Sequence, residues 1–210
     1  MDMLITVLRF FQEGGAFMYP LLGVMILGLA IALERALYLK RARDENRQLW
    51  GQLLPLLNRG EHDSAEELAS RSETAIGRVL GYGLSRAKTA SGRAEVEMAM
   101  EESLMEVTPL LERRTHYLAT FANIATLLGL LGTIIGLIKG FTAVANVNPA
   151  EKADLLSASI SVAMNTTAFG LIVAIPLLLL HAWLQSTANE LIDSVEMAAI
   201  KFLNSFGFKH

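Results

Sequence analysis

The chain alternates long, uncharged apolar blocks with segments rich in charge. Three blocks contain no Asp, Glu, Lys or Arg: 14–33, 117–138 and 155–189. Because an α-helix rises about 1.5 Å per residue, about 20 residues cross a hydrocarbon core of about 30 Å. The pattern therefore predicts an all-α integral membrane protein with three transmembrane helices. The third block is long enough to extend beyond the bilayer.

The distribution of positive charge predicts how these spans are oriented. Most of the 18 lysine and arginine residues lie between Arg35 and Arg114. The positive-inside rule places such a segment in the cytoplasm, with the N-terminus on the periplasmic side and the C-terminus in the cytoplasm. The predicted segments are an N-terminal interfacial amphipathic segment at 1–13, transmembrane helix 1 at 14–38, a cytoplasmic helical domain at 39–114, transmembrane helix 2 at 115–145, a periplasmic loop at 146–154, transmembrane helix 3 with a cytoplasmic extension at 155–189, and a cytoplasmic C-terminal tail at 190–210.

A long amphipathic helix is predicted to begin near Ser91. Apolar residues recur there at spacings of 4, 7, 4 and 7, which places them on one helix face: Val96, Met100, Val107, Leu111 and Leu118. Pro109 interrupts the pattern, but no turn signal precedes the second span, so the pattern favours one continuous helix. The glutamates on the other faces are interpreted as a solvated surface, since no His–Glu spacing suits zinc.

Small residues in the second and third spans predict a close approach of helices. Four glycines in the second span are spaced 3, 4 and 4 and so share one side of the helix. Four residues of the third span are spaced 4, 3 and 4 and likewise share one side: Ala163, Thr167, Gly170 and Ala174. In lipid there is little hydrophobic drive between helices, so small residues mark the places where backbones meet. The residues expected to pack helices are Gly129, Gly132, Gly136, Gly140, Ala163, Gly170, Ala174 and Pro176.

Polar side chains accompany these small residues and allow two interpretations. They either bond back to their own helices inside one bundle, which is the commoner meaning, or they line a lumen that holds another helix. The three uncharged blocks contain no Asp or Glu, so a titrating carboxylate must come from another chain, unless water carries protons past the hydroxyls. The candidate proton-pathway or partner-facing residues are Asn123, Thr126, Thr133, Asn165, Thr166 and Thr167.

Composition and the absence of common motifs argue against several other functions. The absence of cysteine excludes disulfides and thiolate metal sites. A net charge of −3 argues against nucleic-acid binding. The chain has no Gly-x-Ser-x-Gly, His-Glu-x-x-His or phosphate loop. We therefore expect no catalytic residue, no metal and no cofactor.

Three stretches resemble signatures of the MotA/TolQ/ExbB proton-channel family. They are LLGLLGTIIGLIKGF in the second span, NTTAFGLIVAIPLLL in the third, and IALERALYLKRAR at residues 31–43, where the family leaves its first span. The chain lacks the fourth span and the larger cytoplasmic domain of flagellar stators. It is therefore most similar to the ExbB and TolQ branch, and VAIPLLLLHAW is similar to ExbB proteins of TonB-type systems.

The resemblance implies a ring-forming homopentamer in the bacterial inner membrane, with spans two and three around a central lumen. It implies an ExbD- or TolR-like single-span partner whose transmembrane Asp carries protons, and a TonB-like protein that transmits the work across the envelope. The conserved threonines of the family correspond to Thr133 and Thr167, which are then expected to face that Asp. Alternatives are a TolQ-like subunit for envelope maintenance and a non-conducting membrane scaffold.

One position departs from the family pattern. ExbB and TolQ proteins often carry a Glu five residues before the second threonine, and this chain has Val162 there. The substitution removes the acidic group that this subunit would otherwise supply. The resemblance then makes the Asp of the partner indispensable.

Overall fold

A computed structural model describes residues 11, 14–145 and 147–206. These residues form helices and no strand, which confirms the all-α prediction. The helices are α1 (Met18–Asn58), α2 (His62–Ser70), α3 (Ala75–Ala87), α4 (Arg93–Glu112), α5 (His116–Ala145) and α6 (Pro149–Ser205).

Three helical segments of the described chain are long and apolar enough to cross a membrane. They are α1, α6 and the segment that contains α5. No more than 33% of the residues in any of their apolar windows are buried inside the single chain. Such apolar surface is suited to lipid or to other subunits, and it identifies a multi-pass membrane protein.

The chain divides into two compact units. The spanning unit contains the described residues up to Leu33 together with Arg114–Ala182, and the charged unit contains Glu34–Arg113 together with the described residues from Trp183 onward. In the charged unit, α3 packs against α2 and α4. The predicted apolar face of α4 is buried, as Val96, Met100, Val107 and Leu111 show.

The prediction of one continuous helix into the second span is wrong. Helix α4 ends at Glu112 and α5 begins at His116, and Arg114 between them has a φ of 65°. A positive φ is uncommon for a residue with a side chain and cannot continue a right-handed helix. The side chain of Arg35, only 2% exposed, donates hydrogen bonds to the carbonyl oxygens of Leu110 and Leu111. It thereby satisfies carbonyls that the end of α4 leaves without a helical partner.

The third span is longer than predicted at both ends. Helix α6 begins at Pro149, inside the segment predicted as a periplasmic loop at 146–154. Proline is well suited to a first helical position because its missing N–H has no helical acceptor there. The helix then continues through the predicted tail at 190–210 as far as Ser205. The tail is helical because its apolar residues recur on one buried face: Leu191, Val195, Ala198 and Phe202. The predicted interfacial segment at 1–13 lies outside the described residues, except for Phe11.

Candidate functional site

Helices α5 and α6 meet backbone to backbone through the predicted small residues. A methyl group added to Gly170 would lie 2.8 Å from the carbonyl oxygen of Ala125 and 3.0 Å from Cα of Gly129. A methyl on Gly136 would lie 3.0 Å from Cβ of Ala163. Each of these distances is shorter than an ordinary van der Waals contact, so this contact has no room for a larger side chain.

The contacts run in opposite directions along the two helices, as expected for antiparallel neighbours. Gly129 lies against Gly170, whereas Gly140, three turns further along α5, lies against Ser159 of α6. Ala174 is also buried, but Pro176 is exposed. The expectation that Pro176 packs between helices is therefore not met within one chain, since its ring lies on the outer side of α6.

Thr167 joins the two helices by a hydrogen bond. Its hydroxyl donates to the carbonyl oxygen of Gly129 at 2.9 Å. That carbonyl is accessible because Gly129 has no side chain to cover it and its Cα approaches the backbone of α6. The glycine that permits the close approach therefore also exposes the acceptor for the threonine.

Thr166 was expected to face a proton pathway, and the structure corrects this expectation. Its side chain is buried, with 1% of the residue exposed, and its hydroxyl lies 2.8 Å from the carbonyl oxygen of Gly14 and 2.9 Å from that of Val162. Successive helical residues lie about 100° apart, so Thr166 points into the contact while Thr167 lies at its edge. Thr166 is therefore a packing residue that connects α6 to the chain ahead of α1.

The remaining polar candidates do not form one surface. Thr133 of α5 and Thr167 of α6 are half-buried and lie at neighbouring levels, since Gly132 packs against Thr166 and Gly129 against Thr167. Asn123 and Thr126 are exposed on α5. Asn165 is half-buried, but it lies about 200° around α6 from Thr167. The polar edge of the α5–α6 contact therefore consists of Thr126, Thr133 and Thr167. Asn123 lies about 120° around α5 from Gly129, and Asn165 lies on another side of α6.

The hydroxyl protons of this polar edge are already used by backbone carbonyls. Thr126 donates to Ala122 at 3.1 Å, and Thr133 donates to Leu130 at 2.6 Å. A hydroxyl has one proton and two lone pairs, so each threonine oxygen still accepts hydrogen bonds. In this arrangement the edge offers acceptors to a neighbouring group and no free hydroxyl donor.

Ionisable groups with shifted titration lie outside the spans. In the charged unit, a hydrogen bond and the positive charge of Lys88 lower the pKa of Asp63. The ammonium of Lys88 lies 2.6 Å from both Asp63 and Glu66, and these bonds raise its pKa. Among the described residues, no cluster of His, Asp and Glu is arranged to hold a metal ion.

Sequence reasoning missed two polar residues that hold the ends of helices. Arg35 was counted only as a positive charge, although it binds the carbonyls at the end of α4. A lone arginine on the apolar side of a helix was the available signal, since a buried arginine requires acceptors. The other residue is His181, whose Nδ1 lies 3.1 Å from the carbonyl oxygen of Thr115 in the spanning unit.

Comparison with known proteins agrees with the sequence motifs. A model of the MotA/TolQ/ExbB proton channel family matches residues 71–197. The chain is 30% identical over 205 residues to a putative biopolymer transport protein ExbB homolog of Methanothermobacter thermautotrophicus, which covers 97% of this chain and 71% of the relative. It is 29% identical over 169 residues to ExbB-like protein 3 of Synechocystis sp., with 80% of each chain covered. It is 42% identical to biopolymer transport protein exbB1 of Vibrio cholerae over 72 residues, or 32% of each chain.

Proposed function

The chain belongs to the MotA/TolQ/ExbB proton channel family, and we propose that it is an ExbB-like subunit of an energy-transducing motor in the bacterial inner membrane. In this proposal a homopentamer uses the proton motive force to drive TonB-dependent transport across the outer membrane. The polar edge of the α5–α6 contact is the observation that carries the proposal. It is a line of threonine hydroxyl groups on an otherwise apolar surface, which is where a partner helix with a polar group would bind.

The proton carrier is a carboxylate of a second protein. The second and third spans of this chain contain no Asp or Glu, and Val162 stands where the family pattern noted above often has Glu. An ExbD- or TolR-like protein with a single transmembrane helix supplies an Asp to the lumen of the ring. Burial in a low-dielectric lumen disfavours the charged carboxylate and raises its pKa, so that the Asp takes up a proton from the periplasmic side.

Thr133 and Thr167 distinguish the two protonation states of that Asp. Their hydroxyl protons are bonded to Leu130 and Gly129, so their oxygens can accept a hydrogen bond from a neutral carboxylic acid. A carboxylate needs donors, and the threonines provide one only by breaking a bond to a carbonyl. The resting arrangement therefore favours the protonated Asp, and loss of the proton favours movement of the partner helix to a new position.

The energy of each step is small. One proton that crosses 100 mV releases about 2.3 kcal/mol. Useful work therefore needs several protons. A ring of five identical subunits offers five equivalent positions at which protons are taken up and released one after another. In the proposed orientation the charged unit lies in the cytoplasm, where most of the lysine and arginine residues are. A TonB-like protein then transmits the motion to the outer membrane.

Proton flux in liposomes tests the proposal. Vesicles that contain this protein and its single-span partner are expected to conduct protons, and the same vesicles with the partner Asp changed to Asn are not. Equal flux in the two preparations would instead support a non-conducting scaffold.

Substitutions at Thr167 test the role of the polar edge in the same assay. Thr167→Val should reduce flux at least about tenfold, which corresponds to about 1.4 kcal/mol, whereas Thr167→Ser keeps the hydroxyl and should retain most of the flux. Thr142→Val is the matched control, because Thr142 also donates to a carbonyl of α5, that of Ile138, and is exposed. Equal losses in Thr167→Val and Thr142→Val would contradict the assignment.

A TolQ-like role in envelope maintenance is the second candidate. It shares the ring, the lumen and the partner Asp with the first, so the liposome assay does not separate the two. The phenotype of a deletion strain, restored by the wild-type gene, separates them. The ExbB-like proposal expects that deletion abolishes TonB-dependent uptake and leaves resistance to detergent intact.

A further inference from the structure

A groove with an apolar floor and an acidic rim lies between α4 and α6 in the charged unit. Its volume is about 300 Å³. Leu104 and Ile200 contribute to the floor, and Glu97, Glu101 and Glu196 stand at the rim. We call this feature the acidic groove. Neither the α5–α6 contact nor the polar edge includes any of these residues.

The rim carries negative charge that the described part of the chain does not neutralise. Glu97 lies 4.0 Å from Arg93, which is a long and partly exposed ion pair. Glu101 and Glu196 form no ion pair with any described residue. Two exposed carboxylates in the lining of the groove are therefore left without an ion-pair partner among the described residues.

The floor is apolar and partly open to solvent. Ile200 is 51% exposed, and Leu104 is half-buried. Exposed apolar side chains that border a groove mark binding surfaces. An apolar floor with an acidic rim is complementary to an amphipathic helix that carries lysine or arginine beside its apolar face.

A second copy of this chain is a poor source of such a segment. Six arginines and one lysine of the charged unit already pair with carboxylates of the same chain. A surface of anionic lipid is also disfavoured, because the rim glutamates would repel it. The occupant must bring its own cations and its own apolar side chains.

We propose that the acidic groove binds the basic cytoplasmic flank of the single-span membrane partner. This inference rests on the proposed function, which places the charged unit in the cytoplasm and the partner in the same membrane. The positive-inside rule gives the cytoplasmic flank of a single span an excess of lysine and arginine. Those cations pair with Glu101 and Glu196, while neighbouring apolar side chains cover Ile200. The groove then holds the partner at a point outside the membrane and leaves its transmembrane Asp free to move.

Peptide binding tests the chemistry of the groove directly. The protein in nanodiscs of zwitterionic lipid is titrated into a fluorescent leucine–lysine peptide of about 18 residues, patterned with the helical period, and empty nanodiscs give the background. Saturable binding above that background is expected. A peptide of the same composition but without an apolar face should bind at least about fivefold more weakly. Equal affinity for the two peptides would overturn the role of the apolar floor.

Matched charge substitutions locate the binding site. Glu101→Gln with Glu196→Gln should weaken peptide binding at least about fivefold, because both rim charges are lost. Glu102→Gln with Glu106→Gln is the control, since it removes two exposed glutamates from another side of α4 and should change the affinity less than about twofold. Equal losses in the two variants would overturn the proposal. The thermal midpoint of each variant shows whether it is folded.

Carbodiimide cross-linking identifies the natural occupant. In the complex purified with its partner, cross-links from Glu101 or Glu196 to lysines of the partner's cytoplasmic flank are expected. Cross-links from these glutamates to a second copy of this chain would overturn the proposal and assign the groove to an interface between copies. If Asp-dependent proton flux is present while the groove binds no peptide, only this inference fails. If the groove binds peptide but no Asp-dependent flux exists, the proposed function fails and the partner loses its assignment.

Discussion

Glycine lies at several helix contacts of the described residues, and two of these contacts place it against different kinds of atom. Where α5 meets α6, a methyl group on Gly170 would meet backbone, at 2.8 Å from the carbonyl oxygen of Ala125. Where α3 meets α4 in the charged unit, a methyl on Gly83 would meet the side chain of Met100, at 2.6 Å from Cγ and 2.7 Å from Sδ. The first neighbour is fixed by two helices, whereas the second can rotate away.

The difference follows from the solvent around each contact. Lipid is as apolar as a leucine side chain, so helices in a membrane gain by close backbone contact and by hydrogen bonds such as that from Thr167 to Gly129. In water the burial of side chains drives association, and a flexible methionine fills the space that Gly83 leaves. Glycine is therefore essential to the geometry at Gly170 in the spanning unit, whereas the neighbour of Gly83 in the charged unit can adjust.

Gly170→Ala should have the largest effect on stability. The added methyl has no free space, so the helices must separate and the bond between Thr167 and Gly129 is lost. Overpacking of this kind costs about 3 kcal/mol, which exceeds the gain of up to about 1 kcal/mol in helix propensity. Thermal unfolding in detergent, followed by circular dichroism, measures the effect. Gly23→Ala in α1 is the control, because no atom lies within 4 Å of its added methyl. Equal midpoints for the two variants would contradict backbone contact at Gly170.

Gly132→Ala should rank second. Its methyl would lie 2.9 Å from Cβ of Thr166 and closer still to Cγ2. Thr166 is β-branched and has its hydroxyl bonded to Gly14, so it cannot rotate without a cost, and we expect a loss of about 2 kcal/mol. Adding Thr166→Ser removes Cγ2 and keeps the hydroxyl, and should restore most of the stability in the same unfolding assay. If the double variant is no more stable than Gly132→Ala alone, the side chain of Thr166 is not the obstacle.

Gly83→Ala should change stability by less than about 1 kcal/mol. The Met100 side chain can turn away from the new methyl, and alanine improves the helix propensity of α3. The same thermal assay provides the measurement. A loss as large as that of Gly170→Ala would show that the Met100 side chain cannot turn away, and the contrast between the two contacts would fail.

The sequence predicted the contact of α5 with α6 because small residues at spacings of three and four define a helix face without reference to any neighbour. It predicted the apolar face of α4 for the same reason. The break at Arg114 was not predictable from the local pattern. Just before it, at the end of α4, a distant residue, Arg35, binds the carbonyls of Leu110 and Leu111, and a contact across about 75 positions has no periodic signal.

The direction of single polar side chains was also beyond the sequence. Asn165, Thr166 and Thr167 are adjacent, so a polar surface at this level of the third span was predictable. Which of the three enters the contact depends on the rotation of α6 against α5 by a fraction of a turn. The packing of Gly132 against Thr166 fixes that rotation, and the sequence alone gives no measure of it.

Low pH should change the stability of the two units differently, and this is the smallest of the predicted effects on stability. The pKa of Asp63 is lowered by the hydrogen bond and charge of Lys88. A carboxyl whose pKa is lower in the folded state stabilises the fold above its unfolded pKa, and this contribution is lost as the pH falls through the folded value. Between about pH 5 and about pH 2, the charged unit of the wild type should therefore lose more stability than that of Lys88→Met.

The ion pair is exposed, so the difference should be small and should shrink further in 1 M salt. Hydrogen exchange of α2 and α3 measures it, and exchange at the α5–α6 contact should not respond to Lys88→Met. A response of equal size at both places would mean that the two units unfold as one, and that the contrast between their glycine contacts has no separate energetic meaning.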